Sequence, residues 1–224
     1  MRSCLHGYVH YLAERGRIIL RIGIIQKAMW TLFRSTFKKN LSMLGVEDRR
    51  PLMGRAKKRY EQILKDIPEY GENDVLLVNL LSASIFAAIY LNLDNKPDID
   101  TLANYYEQSM NTNLVMKMLL KRKEQFTQEY QNRQKTLAEK SQKSDNPYTW
   151  RFTYHSGDTL DSFDAIFDRC GIWHLMQVLG IPEATPAICR YDYGMTKLMN
   201  TEFSREQTLA DGGTVCDCHY RKRI

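Results

Sequence analysis

The sequence is poor in the features that mark several protein classes. It has 5 cysteines, an odd number, and only 6 prolines in 224 residues. That cysteine usage excludes a densely disulfide-stapled secreted scaffold and points to free thiols in a reducing compartment, with the cytoplasm as the expected location. The nearest approach to a signal peptide, Ile18 to Trp30, contains Arg21 and Lys27 and is followed by no small-residue cleavage site, so no secretory leader is expected. The longest uncharged apolar run, Val75 to Leu93, is interrupted by Asn79, Ser82 and Ser84 and flanked by Asp74 and Asp94. A membrane span needs about twenty predominantly apolar residues. With Ala83, Ala87 and Ala88 suited to close helix approach, the run reads as a buried core helix. No stretch resembles a nucleic-acid-binding motif.

Acidic residues are scarce near the N-terminus. Through residue 70, 15 Lys and Arg stand against 6 Asp and Glu, a net +9, whereas the rest carries 17 against 20, a net −3. A basic segment suits nucleic acid, anionic lipid or an acidic partner. Without a motif for the first, residues 1–70 read as a basic helical extension with a solvated face. Peripheral contact with a membrane or a protein through these helices is the alternative. Residues 71–224 read as the main domain.

What is present is ample material for one core. Ile18, Ile22, Ile25, Met29, Leu32 and Phe33 recur at helical spacing within a helix from Arg17 to Leu44. A second, basic helix is expected over Arg55–Lys65, closed by Pro68 and Gly71. A long one runs from Thr101 toward Lys140, capped by Asp98 or Asp100, with Leu102, Tyr106, Met110, Leu114 and Met118 stepping by four. Lys140 to Pro147 is a loop by composition. Trp150, Phe152 and Tyr154 then alternate with Arg151, Thr153 and His155, the period of a half-buried strand. Helices over Ser162–Leu179 and Thr185–Asn200 follow. The fold class expected is α+β: a helical N-terminal half, then a small antiparallel sheet in the order β-α-α-β-β covered by helices.

The final two strands flank Asp211-Gly212-Gly213-Thr214, and a Gly-Gly pair between extended segments signals a tight hairpin. With Gly212 and Gly213 at its centre, Leu209 faces Cys216, Gln207 faces Cys218 and Arg205 faces Tyr220. Phe203, Arg205, Gln207 and Leu209 then share a sheet face with the two thiols, while Thr208, Asp217 and His219 point the other way. Centring the turn on Asp211-Gly212 keeps the same faces.

Several side chains have spacings that suit chemistry. Cys170 and His174 lie one helical turn apart, a thiol–imidazole arrangement that generates a thiolate nucleophile. Cys189 and Asp192 share a helical face, where the carboxylate would raise the thiol's pKa and so suits a base. Cys216 and Cys218 lie side by side on a strand without the two-residue gap of a zinc knuckle, and no metal is expected. Arg205, on their face, offers a fork that binds a carboxylate bidentately. Asp217 and Thr208 form either a solvent-side pair or the polar site itself.

The pattern Phe203-x-Arg205-x-x-Thr208-Leu209-Ala210-x-Gly212-Gly213-x-x-Cys216-Asp217 resembles the C-terminal signature of the L-2-amino-thiazoline-4-carboxylic acid hydrolase family. Arg169-Cys170, Leu179-Gly180-Ile181-Pro182 and Cys189-x-x-Asp192 resemble its other landmarks. The likeness is clear from Arg169 to Tyr220 and looser back to Val75. It departs at Cys218, where an aromatic is expected, and at His219, where a basic residue is. The resemblance implies hydrolytic opening of a cyclic amidine in a small carboxylate substrate, giving an S-carbamoyl cysteine, with no cofactor. The roles it suggests are Arg205 for the substrate carboxylate, Asp192 or Asp217 as general base and Cys170 or Cys216 as nucleophile. Cys189 belongs to the same catalytic set, Thr208 to the binding residues, and the Gly212 and Gly213 amides serve as donors. The competing reading is a non-catalytic ligand-binding or sensor module, similar in layout to vinyl-reductase-like domains. There the cysteines and Trp150, Phe152 and Tyr154 would line an apolar pocket.

Overall fold

The computed structural model describes residues 23–224 apart from Glu69 and Glu72. Cys4 and the expected start of the first helix at Arg17 lie outside the described residues. Helix α1 (Gly23–Asn40) runs into a 3-10 turn over Leu41–Leu44 that ends at Gly45, and α2 (Arg49–Asp66) comes next. Its N-cap is Asp48, whose carboxylate accepts from the Arg50 amide. The uncharged run forms α3 (Leu77–Leu91), buried from Leu80 to Tyr90 as expected of a core helix. No helix among the described residues is long and apolar enough to cross a membrane.

The basic helices share one core with the chain beyond residue 70. Phe33, Phe37, Ala56, Tyr60 and Ile63 belong to one buried cluster with Ile85, Phe86 and Tyr105. The Tyr105 hydroxyl donates to the Phe37 carbonyl at 3.1 Å, so burial of the ring is accompanied by satisfaction of its polar tip.

The single long helix expected from Thr101 to Lys140 is three: α4 (Ile99–Asn111), α5 (Leu114–Lys121) and α6 (Gln128–Ser141). Side chains that cap have divided it. Asp98 caps α4, Asn113 accepts from the Met116 amide to start α5, and Thr127 accepts from Tyr130 to start α6. Asn and Thr compete for backbone groups in this way, and the apolar spacing did not register it.

The sheet has four antiparallel strands in the order β1-β2-β4-β3. Strand β1 is Arg151–Ser156, and β2 is Ser162–Arg169, where a helix was expected. Phe163, Ala165 and Phe167 alternate with Asp164, Ile166 and Asp168, a period of two that fits a strand with one apolar face. The strand from Arg151 therefore pairs with β2 and not with the C-terminal ribbon. Helix α7 is only Gly171–Val178, and the next expected helix divides into α8 (Thr185–Cys189) and α9 (Tyr191–Leu198). Strand β3 (Thr201–Ser204) and β4 (Cys216–Lys222) complete the α+β fold. Each strand contributes one ring to an aromatic row: Tyr154 stacks on Phe163, Phe163 on Tyr220, and Phe203 tilts against Tyr220, with centroids 5.5, 4.8 and 5.2 Å apart.

The ribbon does not close in a two-residue turn. Phe203 pairs with Tyr220 and Ser204 with His219, after which residues 205–215 leave the ladder and include a 3-10 turn at Leu209–Asp211. This register is the one centred on Asp211-Gly212, so the predicted face of Cys216, Cys218 and Tyr220 stands. Side chains have taken the backbone groups that further pairing would need. The Asp217 carboxylate accepts from the Gln207 amide at 2.8 Å and from the Glu206 amide at 3.2 Å, and Cys216 Sγ accepts from the Leu209 amide at 3.3 Å. Of the two glycines only Gly212 has a positive φ, +86°. A Cβ on Gly213 would lie 2.8 Å from the Thr208 carbonyl oxygen, closer than packing permits.

Candidate functional site

Arg205 is the first residue beyond β3, and its guanidinium is fixed from four sides. Nη1 donates to Asp192 Oδ2 at 2.8 Å, and Nη2 donates to the Cys189 carbonyl, also at 2.8 Å. The rings of Tyr193 and Phe203 stand 5.4 and 5.6 Å from its central carbon, within cation–π range. Only 7% of the Arg205 side chain is exposed, against 36% for Asp192. Burial works against the Arg205 charge, but Asp192, Cys189 and Cys218 more than offset it and raise its pKa. Burial also pushes the Asp192 carboxyl up, with Arg205 holding it back. The exposure that Asp192 retains limits that rise.

A cavity of about 440 Å³ opens beside Arg205, and Asp192 does not line it. Arg205, Thr208, Gly212 and Gly213, the four substrate-binding candidates from the sequence, all line it, together with Glu206, Gln207 and Asp211 of the same loop. Its far wall is Arg190 and Tyr193 of the α8–α9 segment, and Arg190 is ion-paired with Asp100 of α4. Sequence reasoning missed Arg190 and Tyr193. Their signal was proximity to Cys189 and Asp192, since residues on either side of a landmark flank the same opening. The lining holds both signs of charge and no tunnel of apolar rings. Trp150 and Phe152 are buried in the main core instead.

The Gly212 amide donates to the Leu209 carbonyl and the Gly213 amide to the Thr208 carbonyl at 2.8 Å. Both donors are therefore spent on closing the turn. The Thr208 hydroxyl donates to Asp211 Oδ2 at 2.7 Å and accepts from the Asp211 amide.

The thiols lie behind Arg205 and do not line the cavity. Cys170 caps α7, its sulfur accepting from the Trp173 amide at 3.5 Å. Burial lifts its pKa to about 12, with Cys216 adding to the rise. Cys189 is pushed well up by burial and by Cys170 and Asp192, and Cys218 by burial and Asp192. Burial also raises Cys216, against the pull of the Leu209 amide and Arg205. His174 places its ring edge-on to Tyr148, centroids 4.7 Å apart. All four thiols are free. Among the described residues, no group of three or more His, Cys, Asp and Glu is arranged to hold a metal ion.

Asp217 stands on the opposite sheet face, between the loop and His219. Burial opposes its charge, yet the amides of Gln207 and Glu206 hold its carboxyl below the usual range. His219 Nδ1 lies 2.8 Å from Asp164 Oδ1, and its Nε2 lies 3.7 Å from Asp217 Oδ2.

No curated protein matches the sequence. The pattern of L-2-amino-thiazoline-4-carboxylic acid hydrolase, however, covers residues 79–220, from α3 through the Arg205 loop to β4. That span is more than half of the 224 residues and contains every cavity-lining side chain, so this chain belongs to the L-2-amino-thiazoline-4-carboxylic acid hydrolase family.

Proposed function

We propose that this chain hydrolyses a small cyclic amidine bearing a carboxylate, of the 2-aminothiazoline-4-carboxylate class. The observation that carries the proposal is the cavity itself: a clamped Arg205, a carboxylate one hydrogen bond behind it, and a polar loop from the family's signature segment. Arg205 takes the substrate carboxylate with the guanidinium hydrogens that its two bonds, to Asp192 and to the Cys189 carbonyl, leave over. Glu206 and Asp211 face the cationic amidine across the same space.

Water adds to the amidine carbon, forming a new C–O bond. The bond from that carbon to the ring nitrogen breaks as the new C–O bond becomes the carbamoyl carbonyl, both water protons pass to the departing nitrogen, and the exocyclic nitrogen stays in the carbamoyl product. A group that takes the proton from water and returns it to nitrogen needs a pKa nearer neutrality than an ordinary carboxylate has. Neither aspartate that the sequence nominated lines the cavity; Asp192 suits the role better, since it stands one hydrogen bond behind Arg205 with burial raising its carboxyl, while Asp217 is committed to two loop amides. The raised thiols of Cys170 and Cys216 favour attack by water over attack by sulfur. The free thiols suit a reducing compartment such as the cytoplasm.

The test is incubation of the purified chain with 2-aminothiazoline-4-carboxylate, following S-carbamoyl cysteine by mass spectrometry. Turnover that is lost in Asp192→Asn and kept in Cys170→Ala and Cys216→Ala is expected. No turnover by the wild-type chain, with no binding of the compound by calorimetry, overturns the reading.

A further inference from the structure

Helix α5 (Leu114–Lys121) lies on the surface, and it is apolar on the side that faces away from the protein. Leu114 is 76% exposed and Met118 52%, while Leu120, on the other side of the helix, is buried. Residues 114, 118 and 121 fall along one helical face. The two apolar side chains sit on that face between Lys117 on one flank and Arg122 on the other, with Lys121 in line behind them, and all three cations are exposed. No acidic residue occurs from Asn111 to Lys123. Asn113 fixes the orientation: its side chain caps α5 and donates to the Leu32 carbonyl of α1 at 2.8 Å. The exposed side of α1 carries Lys27, Arg34 and Lys39.

A helix with apolar side chains at its crest and cations beside them has the composition of an interfacial helix. Its apolar crest enters the acyl boundary while Lys and Arg meet anionic headgroups. An acidic protein partner would match the charge but leave the exposed apolar side chains of Leu114 and Met118 unaccounted for. From this geometry we infer that α5 is a peripheral docking surface for an anionic lipid bilayer. The inference is independent of the proposed hydrolysis, because α5 contributes nothing to the Arg205 cavity.

The experiment is co-sedimentation of the full chain with phosphatidylserine-rich vesicles and with pure phosphatidylcholine vesicles. Binding to the first and not the second, weakened by added salt, is expected. Leu114→Ser with Met118→Ser, and separately Lys117→Glu with Lys121→Glu, should each weaken partitioning about tenfold or more, with circular dichroism and melting unchanged. A Met118→Trp chain provides a second reading that requires no loss of binding: its emission should shift to the blue on phosphatidylserine vesicles. Absence of binding to either vesicle overturns the inference, as does binding that both α5 double variants retain. An unshifted Met118→Trp emission also overturns it. So does self-association of the wild-type chain in sedimentation velocity that the Leu114 and Met118 variant abolishes without any vesicle binding, which would make the crest a protein interface.

Discussion

Asp192 and Arg205 meet at 2.8 Å across the junction between α9 and the loop that leaves β3. The contact joins the two segments that wall the cavity, so it both orients the guanidinium and positions the loop behind it. Arg205→Ala removes the fork and leaves Asp192 without its counter-charge. A hydrogen bond to a charged group contributes about 1.5–3 kcal/mol, so affinity for 2-aminothiazoline-4-carboxylate should fall roughly 10- to 100-fold. Arg205→Lys should recover only part of this, since an ammonium cannot hold Asp192, the Cys189 carbonyl and a ligand in one plane. Calorimetric titration of the three chains is the measurement, and unchanged affinity in Arg205→Ala would discard the assignment.

The two aspartates should respond to pH in opposite senses. Asp192 is raised in the folded chain, so any stability it contributes is full below its unfolded pKa and is lost as pH rises through the folded value. Asp217 is lowered, so its contribution is present above its unfolded value, near 3.9, and lost as pH falls through the folded one. Urea midpoints between neutrality and pH 3 should fall more steeply for the wild-type chain than for Asp217→Asn. If Asp192 is the base, the acidic limb of turnover should lie above the ordinary carboxylate range.

Asp217→Ala should cost roughly 2 kcal/mol, because the amides of Glu206 and Gln207 lose a charged acceptor. Hydrogen exchange at those two amides should accelerate while exchange in β1 and β2 does not. Equal acceleration throughout the sheet would mean that Asp217 supports the fold in general and not the loop.

The four thiols behind Arg205 should be poor nucleophiles in the native chain. Cys218 is buried and the other three thiols half-buried; this burial pushes Cys170 up to about 12 and raises the others, leaving a small thiolate fraction at pH 8. Iodoacetamide followed by peptide mass mapping should label all four far more slowly in the folded chain than in urea. Rapid native labelling of Cys170 or Cys216 would restore sulfur as a nucleophile.

Gly213→Ala places a methyl group 2.8 Å from the Thr208 carbonyl oxygen, and Gly212→Ala puts a side chain at φ +86°. Each should destabilise by about 1 kcal/mol or more and weaken ligand binding beyond that, since both glycines line the cavity. A crystal structure or amide shifts of Gly213→Ala with the loop unmoved would contradict the close approach.

β1 was readable in advance from its period of two, and α3 from an uncharged apolar run that the fold buries on every side from Leu80 to Tyr90. Strand β2 was legible too, in Phe163, Ala165 and Phe167. It was absorbed into the apolar helix that begins at Gly171, since nothing in a count of apolar residues announces where one period ends and another starts. The hairpin misled for a different reason. Gly212-Gly213 carries a tight-turn signal, but whether Asp217 and Cys216 capture the loop amides depends on side-chain reach, which spacing alone does not encode. The cavity was legible in the motif as far as Arg205, Thr208 and the glycines. Arg190 and Tyr193 required knowing that the start of α9 abuts that loop, a tertiary fact.

The row of rings from Tyr154 to Phe203 crosses every strand of the sheet. It secures the framework on one side of β4 while Asp217 ties down the loop's root on the other. The tip from Leu209 to Val215 is thereby released from any duty to hold the strands in line. Among the tip residues that line the cavity, Asp211 is the one that is neither a glycine nor fixed by the signature pattern, so substitution there can alter which molecules are admitted while Arg205 keeps its place.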